Sequence, residues 1–226
     1  KVGRTTVGVL VADDEGPGKR RDPADPAFDQ VAQVVIGRAK YDLYEDSSIG
    51  VLVTDREFMD SYNRVAGMDA QLRFGGADRF NVVAFQSASR DEDGFERSGP
   101  AIATLYRHNG RNLSLMNFAG YIGPDFRTQT GFARRVNERP VRSSASYRWW
   151  PEHWLTNWGP RASFDFNHDF DGELQDQVSG AGLDFTFARN VTIGIGGERG
   201  LEQFRGVDFW KWNYAATFNV NTSRRV

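Results

Sequence analysis

Residues 206–221 alternate with a period of two. Trp210, Trp212, Tyr214, Ala216, Phe218 and Val220 fall on one side, and Lys211, Asn213, Ala215, Thr217 and Asn219 on the other. Successive side chains of a strand point to opposite faces, so this stretch predicts a β-strand with one apolar face, aromatic at one end. The pattern recurs. In 61–74, Ala66, Met68, Ala70, Leu72 and Phe74 oppose Asp69, Gln71 and Arg73. In 158–167, Ala162, Phe164 and Phe166 oppose Ser163, Asp165 and Asn167. In 176–188, Ala181, Leu183, Phe185 and Phe187 oppose Gly182, Asp184 and Thr186. In 47–56, Ile49, Val51 and Val53 oppose a mixed row of Gly50, Leu52 and Thr54. About twelve strand-like segments are legible in this way. They span 4–12, 30–41, 47–56, 61–74, 79–88, 99–108, 111–121, 136–148, 158–167, 176–188, 190–198 and 207–220. No useful run has a helical period, and strands do not alternate with helices. A doubly wound α/β fold is therefore not expected, and residues 1–226 read as a single β domain or a fragment of one.

The links between strands tend to alternate in length. Residues 13–29 form a long link, 42–46 a short one, and 57–60 a short one where a long one is due. Gly75-Gly76-Ala77-Asp78 is tight, 89–98 long, and His108-Asn109-Gly110-Arg111 tight, with Asn-Gly a strong hairpin signal. Then 122–135 is long, 149–157 medium, 168–175 medium to long, Arg189-Asn190 very tight and 199–206 medium. Short turns at one end and longer loops at the other predict an antiparallel up-and-down transmembrane β-barrel. A soluble fold of packed β-sheets shares the alternation. Arg38, Lys40, Arg73 and Lys211 on the inner face favour the barrel, because unpaired charge in a packed core is very costly. On this reading Arg73, Asp69, Asp165, Asp184 and Lys211 face a lumen. Phe164, Phe166, Leu183, Phe185, Trp210, Trp212 and Phe218 face lipid.

Composition narrows the classes. Hydrophobic residues make up 39% of the chain, which suits a barrel in which alternate residues meet lipid. No apolar run approaches the ~20 residues of a spanning helix. The net charge of −2 gives no broad basic surface, so nucleic acid is not an expected partner. There is no cysteine, which removes disulfides, thiol nucleophiles and cysteine-bound zinc. Lys1 is not a start methionine, and the last residues do not close an apolar strand. Both ends read as cut from a longer protein, with the barrel incomplete at one or both ends.

Several stretches carry a resemblance: Tyr62–Ala70; Gly123–Arg127 with Gly131, Phe132, Arg135 and Val136; Tyr147–Glu152 with Trp158–Pro160; Leu174–Asp176; and Phe204–Phe209. Over about residues 45–210 the chain resembles large bacterial proteins in which a C-terminal β-barrel domain of unknown function follows a family-nine-like carbohydrate-binding domain. The resemblance implies an outer-membrane barrel, further strands after Val226 and a carbohydrate-binding domain before Lys1. It implies no catalytic residue.

Four constellations could carry chemistry. Asp165, Asn167, Asp169 and Asp171, followed by Gly172, place oxygen ligands at alternate positions, as a calcium loop would. The Glu that an EF-hand needs six residues after the glycine is Val178, so an exposed Asp-Gly turn is the preferred reading. His108, His153 and His168 lack metal-ligand spacing. Residues 147–158 hold four of the six tryptophans and suit an interfacial girdle, packing within the turn, or a sugar platform. Arg127, Arg134, Arg135, Glu138, Arg139 and Arg142 could select anions in a pore or pair with Asp165, Asp169 and Asp184. No acid, base or nucleophile set converges, so neither an enzyme nor a cofactor is expected. The leading expectation is a barrel of the bacterial outer membrane, partnered by lipid, with other envelope proteins, or carbohydrate bound through the missing domain, as candidate partners. It would be a channel or translocation pore. A sealed anchoring barrel and a soluble carbohydrate-binding sandwich are the alternatives.

Overall fold

A computed structural model describes residues 1–44, 46–131, 133, 135–204 and 207–220. Among them the chain forms twelve strands: β1 (Thr5–Asp14), β2 (Ala32–Asp42), β3 (Ser48–Phe58), β4 (Ser61–Phe74), β5 (Asp78–Arg90), β6 (Glu96–Asn109), β7 (Leu113–Ile122), β8 (Arg139–Tyr147), β9 (Leu155–His168), β10 (Leu174–Phe187), β11 (Val191–Phe204) and β12 (Val207–Val220). They make one antiparallel up-and-down sheet whose order follows the chain from β1 to β12. Among the described residues helix is confined to short 3-10 turns at Gly16–Gly18 and Ala188–Asn190. No β1–β12 pair occurs among the described residues, so the sheet is not closed on itself and has two edges.

Every stretch that the alternation marks as a strand contains one; several run further, while β2, β7 and β8 start two or three residues later than expected, at Ala32, Leu113 and Arg139. The link expected at 89–98 shrinks to 91–95, and most of the one expected at 199–206 belongs to β11. Residues 205 and 206 lie outside the described residues. At the β5–β6 hairpin the added residues Ser89, Arg90, Glu96, Arg97 and Ser98 are polar. Backbone ladders carry them, helped at the β5–β6 hairpin by the Arg90–Glu96 pair and by Gln86 Nε2 donating to Ser98 Oγ at 2.9 Å. The long links are 15–31 and 123–138, both after odd-numbered strands. The tight 75–77 turn needs its glycines, since Gly75 and Gly76 have φ of +59° and +70°.

Two compact units share the chain. The first comprises Lys1–Phe74, Phe80–Thr104 and Gly120–Glu138, the second Gly75–Arg79, Leu105–Ala119 and Arg139–Val226. Directly paired residues of an antiparallel ladder point to the same face, so the registers assign the faces within each unit. In the first, Val9 pairs with Gly37, Gly37 with Val53, and Val53 with Ala66. With Val7, Val11, Val51 and Met68 they make a continuous apolar face. It is open: Val9 is 71%, Val51 52% and Met68 65% exposed. The opposite face carries Arg38, Lys40, Gly50 and Asp69. What is buried in this unit is small. Ala27, Ala32 and Phe58 form the one cluster among the described residues, and Ala32 and Phe58 lie on the polar face near its long-loop end.

In the second unit Trp210 pairs with Leu201, Leu201 with Gln177 and Gln177 with Phe166. Likewise Phe218 pairs with Ile193, and Ile193 with Phe185. Its other face joins Lys211, Gly200, Val178, Asp165 and Arg142 in a single row.

Candidate functional site

The polar faces carry the charge. In the first unit the Arg38 guanidinium makes a two-pronged pair with Asp69, Nη2 lying 2.8 Å from Oδ1. It lies across Gly50, where an added Cβ would sit 2.7 Å from Nη2. A side chain at 50 would displace it, so the glycine makes room for the pair. Arg73 reaches Asp46 at 2.7 Å, and Lys40 lies 3.3 Å from Asp42. Beyond the apolar band the charges continue on both faces: Arg64 joins Asp55 and Glu57, and Arg97 meets Asp91 at 2.9 Å.

Residues 125–129 of the link after β7 are folded onto this polar face. Asn63, wholly buried, donates through Nδ2 to the Arg127 carbonyl (3.1 Å) and accepts at Oδ1 from the Gln129 amide (2.9 Å). Ser87, also wholly buried, accepts from the Arg127 amide at 3.0 Å and donates to the Gly99 carbonyl at 3.2 Å. Gly99 lies beneath the segment, since a Cβ there would come within 2.5 Å of the Phe126 nitrogen. Buried polar groups need partners, and these side chains supply them to backbone that would otherwise need water. Arg56 adds a 2.8 Å bond to Gln129 Oε1 and a 3.2 Å bond to Asp14. The result is a latch that holds 125–129 over the polar wall.

In the second unit, Arg142 Nε lies 3.0 Å from Asp165 Oδ2, and Arg161 Nη1 lies 3.1 Å from Asp184 Oδ1. Arg161 lies flat over Gly182 and Gly196, each of which would place a Cβ 2.8 Å from the guanidinium. One ladder row on this face reads Ser146, Arg161, Gly182, Gly196 and Ala215, and the next Ser144, Ser163, Gly180, Glu198 and Asn213. Small side chains in both rows leave a concavity of about 810 Å³.

The apolar face of this unit is aromatic toward both ends. Near the short turns Trp149 stacks on Trp158 at 4.6 Å and touches Tyr147 at 4.9 Å, while Trp154 stacks on Phe187 at 5.8 Å. Toward the long loops Phe164 stacks on Phe166, and Trp212 on Tyr214. Arg199 lies 3.9 Å over Trp210.

Phe164, Phe166, Leu183, Phe185, Trp210, Trp212 and Phe218 share the apolar face of the second unit, and Asp165, Asp184 and Lys211 its polar face. Arg73 and Asp69 share the polar face of the first. The candidate calcium residues are committed separately. Asp165 is held by Arg142, and Asn167 is buried with Nδ2 3.5 Å from Asp176. Asp169 Oδ1 accepts from the amides of Asp171 and Glu173 at 3.0 and 2.8 Å and shapes the turn. No group of three or more His, Asp or Glu placed to hold a metal occurs among the described residues. The arginine cluster divides. Arg127 donates to the Pro124 and Phe126 carbonyls of its own loop, and Arg139 to the Asp169 carbonyl rather than its carboxylate. Arg142 takes Asp165 as expected, whereas Asp184 is held by Arg161 from outside the cluster. Arg134 and Phe132 lie outside the described residues. The sequence reading missed Asn63, Ser87 and Gly99. The only signal for them was small polar residues on strand ends facing a long loop.

Compared with protein-family models, curated proteins and solved structures, the chain matches none.

Proposed function

We propose that this chain is the wall of a β-barrel in the bacterial outer membrane, the membrane-spanning part of a larger envelope protein. The observation that carries the reading is the exposed apolar face of the first unit. Val9, Val51 and Met68 stand more than half exposed in a continuous band, back to back with a face of paired charges. A large contiguous apolar patch is unusual on a soluble protein and has the expected chemistry of a lipid contact. Dimensions support it. Trp158 and Phe166, at opposite ends of β9, are separated along the strand by ~27 Å at about 3.4 Å per residue. A strand tilt of 35–45° reduces this to a height of ~20 Å, close to the ~25 Å apolar band between aromatic girdles. Unpaired strand edges in lipid cost several kcal/mol per backbone group, so β1 and β12 would need to pair with each other or with further strands.

The lumen would pass a polar solute. One observation favours a second reading, a sealed barrel that anchors an assembly: the latched 125–129 segment and the ion pairs occupy the polar wall. Single-channel recording separates the two, since a sealed barrel gives no discrete conductance. The resemblance to barrels that follow a carbohydrate-binding domain adds a proposed tether to sugar.

The test is fractionation of cells producing the full-length protein, followed by gel migration with and without heating. Recovery in the outer membrane with a heat-dependent mobility shift supports the barrel. Recovery as a detergent-free soluble protein refutes it, and the apolar face would then be the inside of a soluble sandwich.

A further inference from the structure

We propose that the concavity on the polar face of the second unit binds a small hydroxylated monocarboxylate. The inference rests on the reading of this face as a lumen wall. The space, about 810 Å³, is of small-molecule size. Arg107, Arg148 and Arg161 line it, with Asp184 and Glu198 as its acidic groups. The acids are already engaged, Asp184 by Arg161 and Glu198 by the Asn213 amide at 3.1 Å. Arg161 is likewise committed and is held against its glycine floor. Arg107 and Arg148 are different. Their guanidinium groups have no hydrogen-bond or ion-pair partner among the described residues, although both are exposed to the concavity. A guanidinium offers a planar fork of donors that matches a carboxylate, so each offers an anion-receiving group to this space.

Polar groups elsewhere in the lining, set among Leu115, Met116, Ala145, Tyr147 and Pro160, bear on the body of the ligand. Ser114, Ser144, Ser146, Ser163 and Asn157 give hydroxyl and amide groups that both donate and accept. Hydroxyls on the ligand match such a wall, while a purely apolar acid would leave these groups unpaired and lose affinity. Three arginines against two carboxylates leave one net positive charge, which favours a monoanion over a polyanion.

The experiment is calorimetric titration of the full-length protein, in detergent at low salt, with gluconate and with sorbitol, the neutral polyol of similar size. Gluconate should bind at least about tenfold more tightly than sorbitol, equivalent to ~1.4 kcal/mol. The double variant Arg107→Gln/Arg148→Gln should lose at least about tenfold in gluconate affinity and leave any sorbitol binding unchanged. Both side chains are exposed, and unchanged heat-dependent migration verifies that the variant folds. Equal affinity for the two probes overturns the proposal, as does a double variant that binds gluconate like the parent, or no heat of gluconate binding at all. Fractionation of the same preparation keeps the two ideas apart. Outer-membrane protein that ignores gluconate refutes this site alone, whereas soluble protein that binds it refutes the membrane reading.

Discussion

Replacing Asn63 with Ala should release the 125–129 segment without unfolding the strands beneath it. Asn63 is wholly buried and makes two hydrogen bonds to the loop backbone, to the Arg127 carbonyl and from the Gln129 amide. Truncation leaves both backbone groups without their partner. A buried unsatisfied group costs about 1–3 kcal/mol, and a surface loop recovers part of this from water, so about 2–4 kcal/mol of latch stability should be lost. At 1.4 kcal/mol per factor of ten, opening becomes roughly 30- to 1,000-fold more frequent. Hydrogen exchange of the full-length protein measures this directly. The Arg127 and Gln129 amides, which donate to Ser87 and Asn63, should exchange faster by that factor, while the β3 and β4 amides keep their rates. Unchanged exchange at 127 and 129 would refute the latch. So would simultaneous loss of protection throughout β3 and β4, because Asn63 would then be a core residue.

Three further outcomes follow from the same geometry. Gly99→Ala should open the segment as Asn63→Ala does, since its Cβ would come within 2.5 Å of the Phe126 nitrogen, whereas Gly8→Ala, with open space around it, should leave exchange unchanged. Val51→Arg, in the middle of the exposed apolar face, should cost ~2–4 kcal/mol when folding is measured in a bilayer; an unchanged or improved folding free energy would contradict a lipid contact. Arg161→Met should shift the heat-modification midpoint very little, because the Arg161 and Asp184 side chains are 41% and 48% exposed and such pairs contribute ~0–1 kcal/mol. A large shift would show that the pair braces the wall more than its exposure suggests.

Much of the fold was legible because it is written in one repeated rule. Alternation in 61–74, 158–167 and 176–188 assigns the same faces as the registers do, and the strands lie in sequence order, so no long-range pairing had to be guessed. Strand ends were less legible. At Ser89–Arg90 and Glu96–Ser98 both faces become polar, and β11 runs on to Phe204 in register with β12, so backbone pairing continues where a link was expected. The ion pairs were legible as chemistry but not as partners. Asp184 faces the same side as the arginine cluster, yet Arg161 on the neighbouring strand takes it. The latch was not legible. Asn63 and Ser87 bond to residues 40 to 66 positions away, and nothing in their local pattern announces which loop will fold onto them.

The most direct test of the central claim uses the absence of cysteine, which lets a single probe be placed without altering any native thiol. Val51 and Leu52 are neighbours on β3 that point to opposite faces, Val51 to the exposed apolar one and Leu52 to the polar one with Arg38. Each is replaced by cysteine in turn, labelled with an environment-sensitive fluorophore, and reconstituted in vesicles of brominated lipid. A lipid-facing wall predicts strong quenching and a blue-shifted emission at 51, with weak quenching and a water-like emission at 52. Equal quenching at the two positions, or a water-like probe at 51, would contradict a lipid-facing wall.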